Sequence, residues 1–123
     1  MDAKQSLYYG LGQVSYAVAM SDGAVQEEEQ LKLKEVLKSE LDKRNLDADY
    51  ADIIFELLKR DQLDGKTAYE NGIKAMSLGS HYLTDDLREK FSSLIKDVAD
   101  AFPPTTSEEQ ACIDRFDDDL KKM

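Results

Sequence analysis

Cysteine and histidine are nearly absent from this sequence, which holds one of each among 123 residues. The single thiol, Cys112, cannot form a disulfide within the chain. Together with His81 it cannot supply the four ligands of a structural zinc site. No serine–histidine–aspartate order, histidine cluster or glycine-rich phosphate loop indicates catalysis. We therefore expect a protein that is not an enzyme, with Cys112 in the core and His81 capping a helix or lying at the surface.

Long hydrophobic runs are also missing. The first residues are followed by no apolar stretch typical of a signal peptide, and no segment has the ~20 apolar residues that a membrane-spanning helix needs. We expect a cytoplasmic protein with no direct membrane insertion. Hydrophobic residues make up 41% of the chain, which is enough for one core, and the length fits a single domain over residues 1–123.

Positive charge is scarce, because sixteen Lys and Arg face twenty-six Asp and Glu and the formal net charge is −10. A field of this sign repels phosphate backbones, so we expect no nucleic-acid partner. The same field attracts cations or a basic protein partner. Acidity also keeps a small protein soluble, which is the simpler explanation for most of the charge.

Apolar residues recur at helical spacing almost everywhere, and the alternation typical of strands is nearly absent. The sequence therefore predicts an all-α fold, a compact bundle of about six to seven short amphipathic helices. Six segments are clear, at residues 4–20, 26–44, 47–60, 67–80, 85–102 and 107–120. The inward face of the third segment is predicted to be Tyr50, Ile53, Ile54, Leu57 and Leu58.

The first helix carries an apolar stripe made of Leu7, Leu11, Val14 and Val18. Gly10 and Gly12 each weaken this helix by up to ~1 kcal/mol relative to alanine, but their lack of a side chain lets another helix approach closely. The stripe is flanked by Tyr8, Tyr9 and Tyr16. These rings form either a surface for a dimer or protein partner, or a set of partly buried core residues.

Several helix ends can be placed from local chemistry. Thr84 and Thr106 are predicted to cap the fifth and sixth helices, since a threonine oxygen can accept hydrogen bonds from amides of the first turn. Glu109 would complete a capping box by reaching back to Thr106. The Gly-Lys-Thr at residues 65–67 lacks the upstream glycine of a phosphate loop, so we interpret Asp64 and Gly65 as a turn and helix cap.

Two acidic corners repeat each other at a separation of about eighty residues. Each consists of the end of an apolar helix, an acidic turn and the start of an acidic helix. Asp22 corresponds to Asp100, and the run Glu28-Glu29-Gln30 matches Glu108-Glu109-Gln110. The repeat predicts a weak internal pseudo-two-fold relation between two helix–turn–helix corners.

The first corner resembles the signature of the TerB-like family, through Asp22, Gly23, Val25 and Glu29. The second corner supplies similarly placed residues, Asp100, Thr106 and Glu109. Gln26 departs from the family pattern, which has a hydroxyl residue at that position. The resemblance implies an all-α, non-enzymatic protein linked to tellurite and other chemical stress, with acidic corners that bind divalent cations.

The candidate metal ligands are the corner carboxylates, Asp22, Glu28, Glu29, Asp100, Glu108 and Glu109. Their hard oxygen atoms suit Ca²⁺ or Mg²⁺. The alternative is that acids in a first helical turn simply complement the helix dipole. The leading hypothesis is a non-enzymatic stress-response or scaffold protein with cation-binding corners. The other hypotheses are a protein-interaction module without metal, homodimeric or bound to another protein, and a hydrolase that uses a carboxylate pair.

Overall fold

The computed structural model describes residues 2–19, 27–61, 64–102 and 106–123. Within these ranges every regular element is helical, which confirms the predicted all-α bundle. The helices are α1 (Ala3–Ala19), α2 (Glu27–Lys43), α3 (Tyr50–Asp61), α4 (Gly65–Leu78), α5 (Asp85–Asp100) and α6 (Ser107–Lys122). A single 3₁₀ turn at Ser80–Tyr82, which the periodicity did not predict, follows α4.

Helix α1 lies at the centre of the bundle and packs against α3, α4, α5 and α6. The predicted stripe is confirmed, because Leu7, Leu11, Val14 and Val18 are all buried. Burial continues around the helix from Ser6 to Ala19, apart from the half-buried Tyr9. A helix covered on all sides is typical of a core element rather than of a surface element.

For Tyr8 and Tyr16, the hypothesis of a tyrosine-bearing partner surface on α1 is therefore wrong. Tyr8 and Tyr16 are buried. The ring of Tyr8 stacks on Tyr50 of α3, with the ring centroids 4.6 Å apart, and meets Phe91 of α5 edge-on. These rings fill the spaces between neighbouring helices, which is the second of the two alternatives for them.

Glycine allows α1 and α4 to run antiparallel in backbone contact, as the sequence predicted for Gly10. A Cβ atom at Gly10 would collide with the carbonyl oxygen of Gly72, and one at Gly72 would lie 2.8 Å from the carbonyl oxygen of Gly10. Gly79 lies seven residues after Gly72, and Ala3 lies seven residues before Gly10. A Cβ atom at Gly79 would collide with the carbonyl oxygen of Ala3. The contact therefore needs residues without side chains at Gly10 of α1 and at Gly72 and Gly79 on the α4 side.

The other helices bury one face each against this central pair. Leu33, Leu37 and Leu41 of α2, four large apolar residues of α5 and three of α6 are buried. Ile53 of α3 was predicted to face inward and is instead 54% exposed. The buried face of α3 is Ala51, Ile54 and Leu58, and Ile53 is turned about 100° from Ile54 around the helix axis.

Side-chain caps fix the helix starts. The oxygens of Asp64, Thr84 and Thr106 accept hydrogen bonds from the third amides of α4, α5 and α6, which confirms those three predictions. The start of α1 has a reciprocal capping box that was not predicted: the amide of Gln5 donates to Asp2, and the amide of Asp2 donates to the Gln5 side chain. Each such cap is worth about 1 kcal/mol.

Gly10→Ala should destabilise the protein, because the added methyl group must push α1 away from α4. We expect a loss of about 1–3 kcal/mol in the free energy of unfolding, typical of overpacking, despite the better helix propensity of alanine. Urea denaturation measures this change in the free energy of unfolding. Ser77→Ala on the exposed face of α4 is the control and should change stability by less than about 0.5 kcal/mol. A Gly10→Ala variant as stable as the wild type would contradict the backbone contact.

Candidate functional site

The first acidic corner cannot be compared with the sequence prediction. Asp22 and the side chains of Glu28 and Glu29 lie outside the described residues. The pseudo-two-fold relation and the contribution of these three acids to a metal site therefore stay predictions.

The second acidic corner separates its three candidate ligands. Asp100, the last residue of α5, and Glu108 in the first turn of α6 are exposed, whereas Glu109 is fully buried. The described part of the chain contains no group of three His, Cys, Asp or Glu side chains that could hold a metal ion. The corner by itself is thus a buried carboxylate with two exposed acids nearby in the sequence.

The capping box predicted at this corner is only half formed. The amide of Glu109 donates to the Thr106 hydroxyl oxygen at 3.1 Å, as expected. The return bond from the Glu109 carboxylate to the Thr106 amide is absent, because the Glu109 side chain turns into the interior rather than along the helix start. Burial of an ionised carboxylate is costly unless other groups compensate for it.

A crevice of about 400 Å³ opens where α6 crosses the ends of α1 and α4. Small residues form its walls, namely Ala17, Gly65 and Ala111. The other described lining residues are Lys66, Tyr69, Cys112 and Arg115, none of which is acidic. The sequence did not predict this crevice, since the residues that form it come from three distant segments.

Hydrogen bonding and burial keep two titratable groups of the crevice, the Tyr69 hydroxyl and the Cys112 thiol, protonated and neutral. The Tyr69 hydroxyl donates to Asp119 at 2.6 Å, and burial together with this bond raises the pKa of Tyr69 far above its ordinary value. The Arg115 guanidinium lies over the Tyr69 ring, 4.4 Å from its centroid. Burial raises the pKa of the Cys112 thiol to about 11, with Arg115 opposing and Glu109 reinforcing the shift.

A second groove, of about 530 Å³, runs between α5 and α6. Ser92 donates a hydrogen bond to Asp117, and Lys96 lies 3.5 Å from the same carboxylate. At the edge of this groove Arg44 of α2 bridges Glu40 and Asp97, which ties α2 to α5. These contacts of Ser92 and Lys96 with Asp117 join α5 to α6.

An exposed apolar patch lies at the opposite end of α4 from the crevice. Leu78, at the last turn of α4, is 73% exposed, and Tyr82 in the 3₁₀ turn is 54% exposed. His81 lies between them in the sequence and is exposed, with its ring centroid 4.8 Å from that of Tyr82. We call these three residues the Leu78–Tyr82 patch. The predicted surface position of His81 is confirmed.

Comparison with known proteins provides no relative for this chain: no family model, curated protein or solved structure matches it. Among the described residues, no helix is both long and apolar enough to cross a membrane.

The raised pKa of Cys112 predicts slow alkylation. A pKa of about 11 in place of 9.0 lowers the thiolate fraction at pH 8 by roughly 100-fold. The rate of reaction with iodoacetamide should therefore keep rising until the pH approaches 11. The urea-unfolded chain is the control, and its rate should level off near the ordinary thiol pKa. Equal rates for folded and unfolded protein at pH 8 would contradict the shift.

Proposed function

We propose that this protein is a non-enzymatic scaffold protein of the TerB-like type that acts in stress responses by binding a basic protein partner. The exposure of the Leu78–Tyr82 patch carries the proposal. The large side chains of the core are almost completely buried, whereas Leu78 leaves 73% of its surface in water. An exposed leucine and an exposed tyrosine four residues apart are typical of a protein-binding site.

The other large exposed apolar side chains of the described chain lie on two different helices. Leu31 lies on α2 and Ile53 on α3, each on its own helix. Single exposed apolar residues are normal in globular proteins and indicate nothing about function. Leu78 and Tyr82 differ because they are only four residues apart in the sequence, at the last turn of α4 and in the 3₁₀ turn that follows Gly79, with the His81 ring beside Tyr82.

The charge around the patch favours a basic partner. Asp85 and Asp86 begin α5 just after Tyr82, and Asp2 adjoins Ala3, whose carbonyl touches Gly79. Arg88 pairs with Asp85 and Lys90 with Asp86, which offsets part of the negative charge, but both carboxylates remain largely exposed to solvent and to a partner. A partner with apolar residues for Leu78 and Tyr82 and basic residues around them fits both features.

A synthetic amphipathic helix of leucine and lysine tests this proposal as a defined probe. We expect it to shift the resonances of the Leu78 methyl groups and the Tyr82 ring, and Leu78→Ser with Tyr82→Ser to weaken its binding by about tenfold or more. The matched control is Leu31→Ser with Ile53→Ser, which removes the same kind of exposed side chain elsewhere. Raised salt should also weaken binding, because the rim contacts are ionic.

Two outcomes would overturn the docking proposal. One is equal loss of peptide binding in the patch variant and the control variant, since the peptide would then recognise general surface charge. The other is a wild-type dimer that the patch variant converts to a monomer in sedimentation, since the patch would then bind a second copy of the chain. Both variants should unfold at the wild-type temperature, because the substituted side chains are exposed.

Cation binding by the acidic corners is a second candidate function. In this hypothesis Ca²⁺ or Mg²⁺ binds carboxylates of the two corners, and the candidate ligands are Asp22, Glu28, Glu29, Asp100, Glu108 and Glu109. A hard divalent cation needs six or more oxygen ligands, which the exposed acids and backbone carbonyls of two corners can supply together.

Cation binding is tested by thermal unfolding of the metal-stripped protein with and without added divalent cations. A cation at a hundred times its dissociation constant should stabilise the fold by about 2.7 kcal/mol, and Asp22→Ala or Asp100→Ala should abolish the shift. Asp118→Ala, another exposed acid on α6, is the control and should leave it intact. The absence of any shift with Ca²⁺, Mg²⁺, Mn²⁺ or Zn²⁺ would assign the corner acids to helix-start chemistry alone.

A further inference from the structure

The crevice beside α6 is positively lined in a protein of net charge −10. Its charged lining residues within the described chain are Lys66 at the start of α4 and Arg115 on α6. The thiol of Cys112 and the hydroxyl of Tyr69 both have raised pKa values, so neither adds negative charge at neutral pH. The described lining therefore carries two formal positive charges and no negative charge.

The two cations keep most of their capacity to bind an anion. Arg115 forms one ion pair within the described residues, a contact of 3.8 Å from Nε to Asp119, and that same oxygen already accepts the Tyr69 hydroxyl at 2.6 Å. Lys66 forms no ion pair shorter than 4.0 Å with any described residue, although its charge helps to lower the pKa of the nearby Asp64. An arginine held by an aromatic face and a lysine across a crevice are groups that bind carboxylate and phosphate oxygens.

The walls of the crevice complement these charges with apolar surface. Ala17, Gly65 and Ala111 leave space because their side chains are small or absent, and the Tyr69 ring forms the side beneath Arg115. The volume of about 400 Å³ lies within the range of small-molecule sites. This space exceeds what an inorganic ion needs and can accept an organic group of modest size.

We propose that the crevice between α1, α4 and α6 binds a small organic anion, with Lys66 and Arg115 holding its carboxylate or phosphate group and the small-residue walls contacting its apolar part. The site is separate from the Leu78–Tyr82 patch at the other end of α4, so either proposal can fail without the other.

Titration with phenyl phosphate and benzoate, followed by amide resonances of Gly65, Ala111 and Cys112, tests the site. Sodium chloride at matched ionic strength is the reference. We expect saturable shifts of resonances that are confined to the crevice. The double variant Lys66→Gln, Arg115→Gln should bind phenyl phosphate and benzoate at least about tenfold more weakly. Lys74→Gln with Lys121→Gln makes the same charge change on the same two helices and should bind like the wild type.

The shape of the crevice is tested by Ala111→Leu, which narrows the space at an exposed position of α6 without changing charge. This variant should also weaken phenyl phosphate binding, but should have less effect on inorganic phosphate. No saturable shift with phenyl phosphate or benzoate, or equal binding by the crevice and control double variants, would overturn the proposal. Thermal unfolding of each variant confirms that the fold is intact.

Discussion

Backbone contact between α1 and α4 is the constraint on which the rest of this structure depends. It requires a residue without a side chain at Gly10 and Gly72, where the two helices are closest, and again at Gly79 beside Ala3. These positions recur every seven residues, about two helical turns, so they lie along one line on each helix. Because α1 is the element that the other helices cover, its separation from α4 determines where α3, α5 and α6 can pack.

Because α1 is covered on all sides, its polar side chains are buried and need hydrogen-bond partners inside the protein. Gln13 and Ser15 are buried, although the helix that carries them is otherwise apolar on most sides. Ser15 donates to the carbonyl of Leu11, and the Gln13 amide donates to the hydroxyl of Tyr9. Local bonds of this kind let a helix without an outer face carry polar side chains, since buried donors must find a partner.

The line of small residues also explains where the two proposed binding surfaces lie. One end of the α1–α4 pair is Ala3 with Gly79, beside the exposed Leu78. The other end is Ala17 with Gly65, both of which line the crevice. Helix α4 has fourteen residues and so spans about 20 Å, which separates an acidic, apolar surface from a cationic recess. The same scarcity of side chains that brings the helices together leaves unfilled space where α6 crosses them.

The local features of the fold could be predicted from the sequence, whereas its long-range contacts could not. Periodicity and capping chemistry act within a few residues, which is why the helices and the caps at Asp64, Thr84 and Thr106 were found. The inward face of α3 was predicted too broadly, because apolar Ile53 follows the helical pattern although no neighbouring helix covers it. The corner acids were evident in the sequence, but the burial of Glu109 depends on its tertiary surroundings.

Net charge alone is a poor guide to what this protein binds, because many carboxylates already have structural partners. Asp64 caps α4, and its bond to the Thr67 amide holds the pKa of Asp64 below the ordinary value. Arg44 forms ion pairs with Glu40 and Asp97 and so joins α2 to α5. Bonds of this kind place negative charge where helices begin or meet. The two proposed binding surfaces, the Leu78–Tyr82 patch and the crevice, are instead places where apolar and charged groups remain exposed together, which the total of −10 does not indicate.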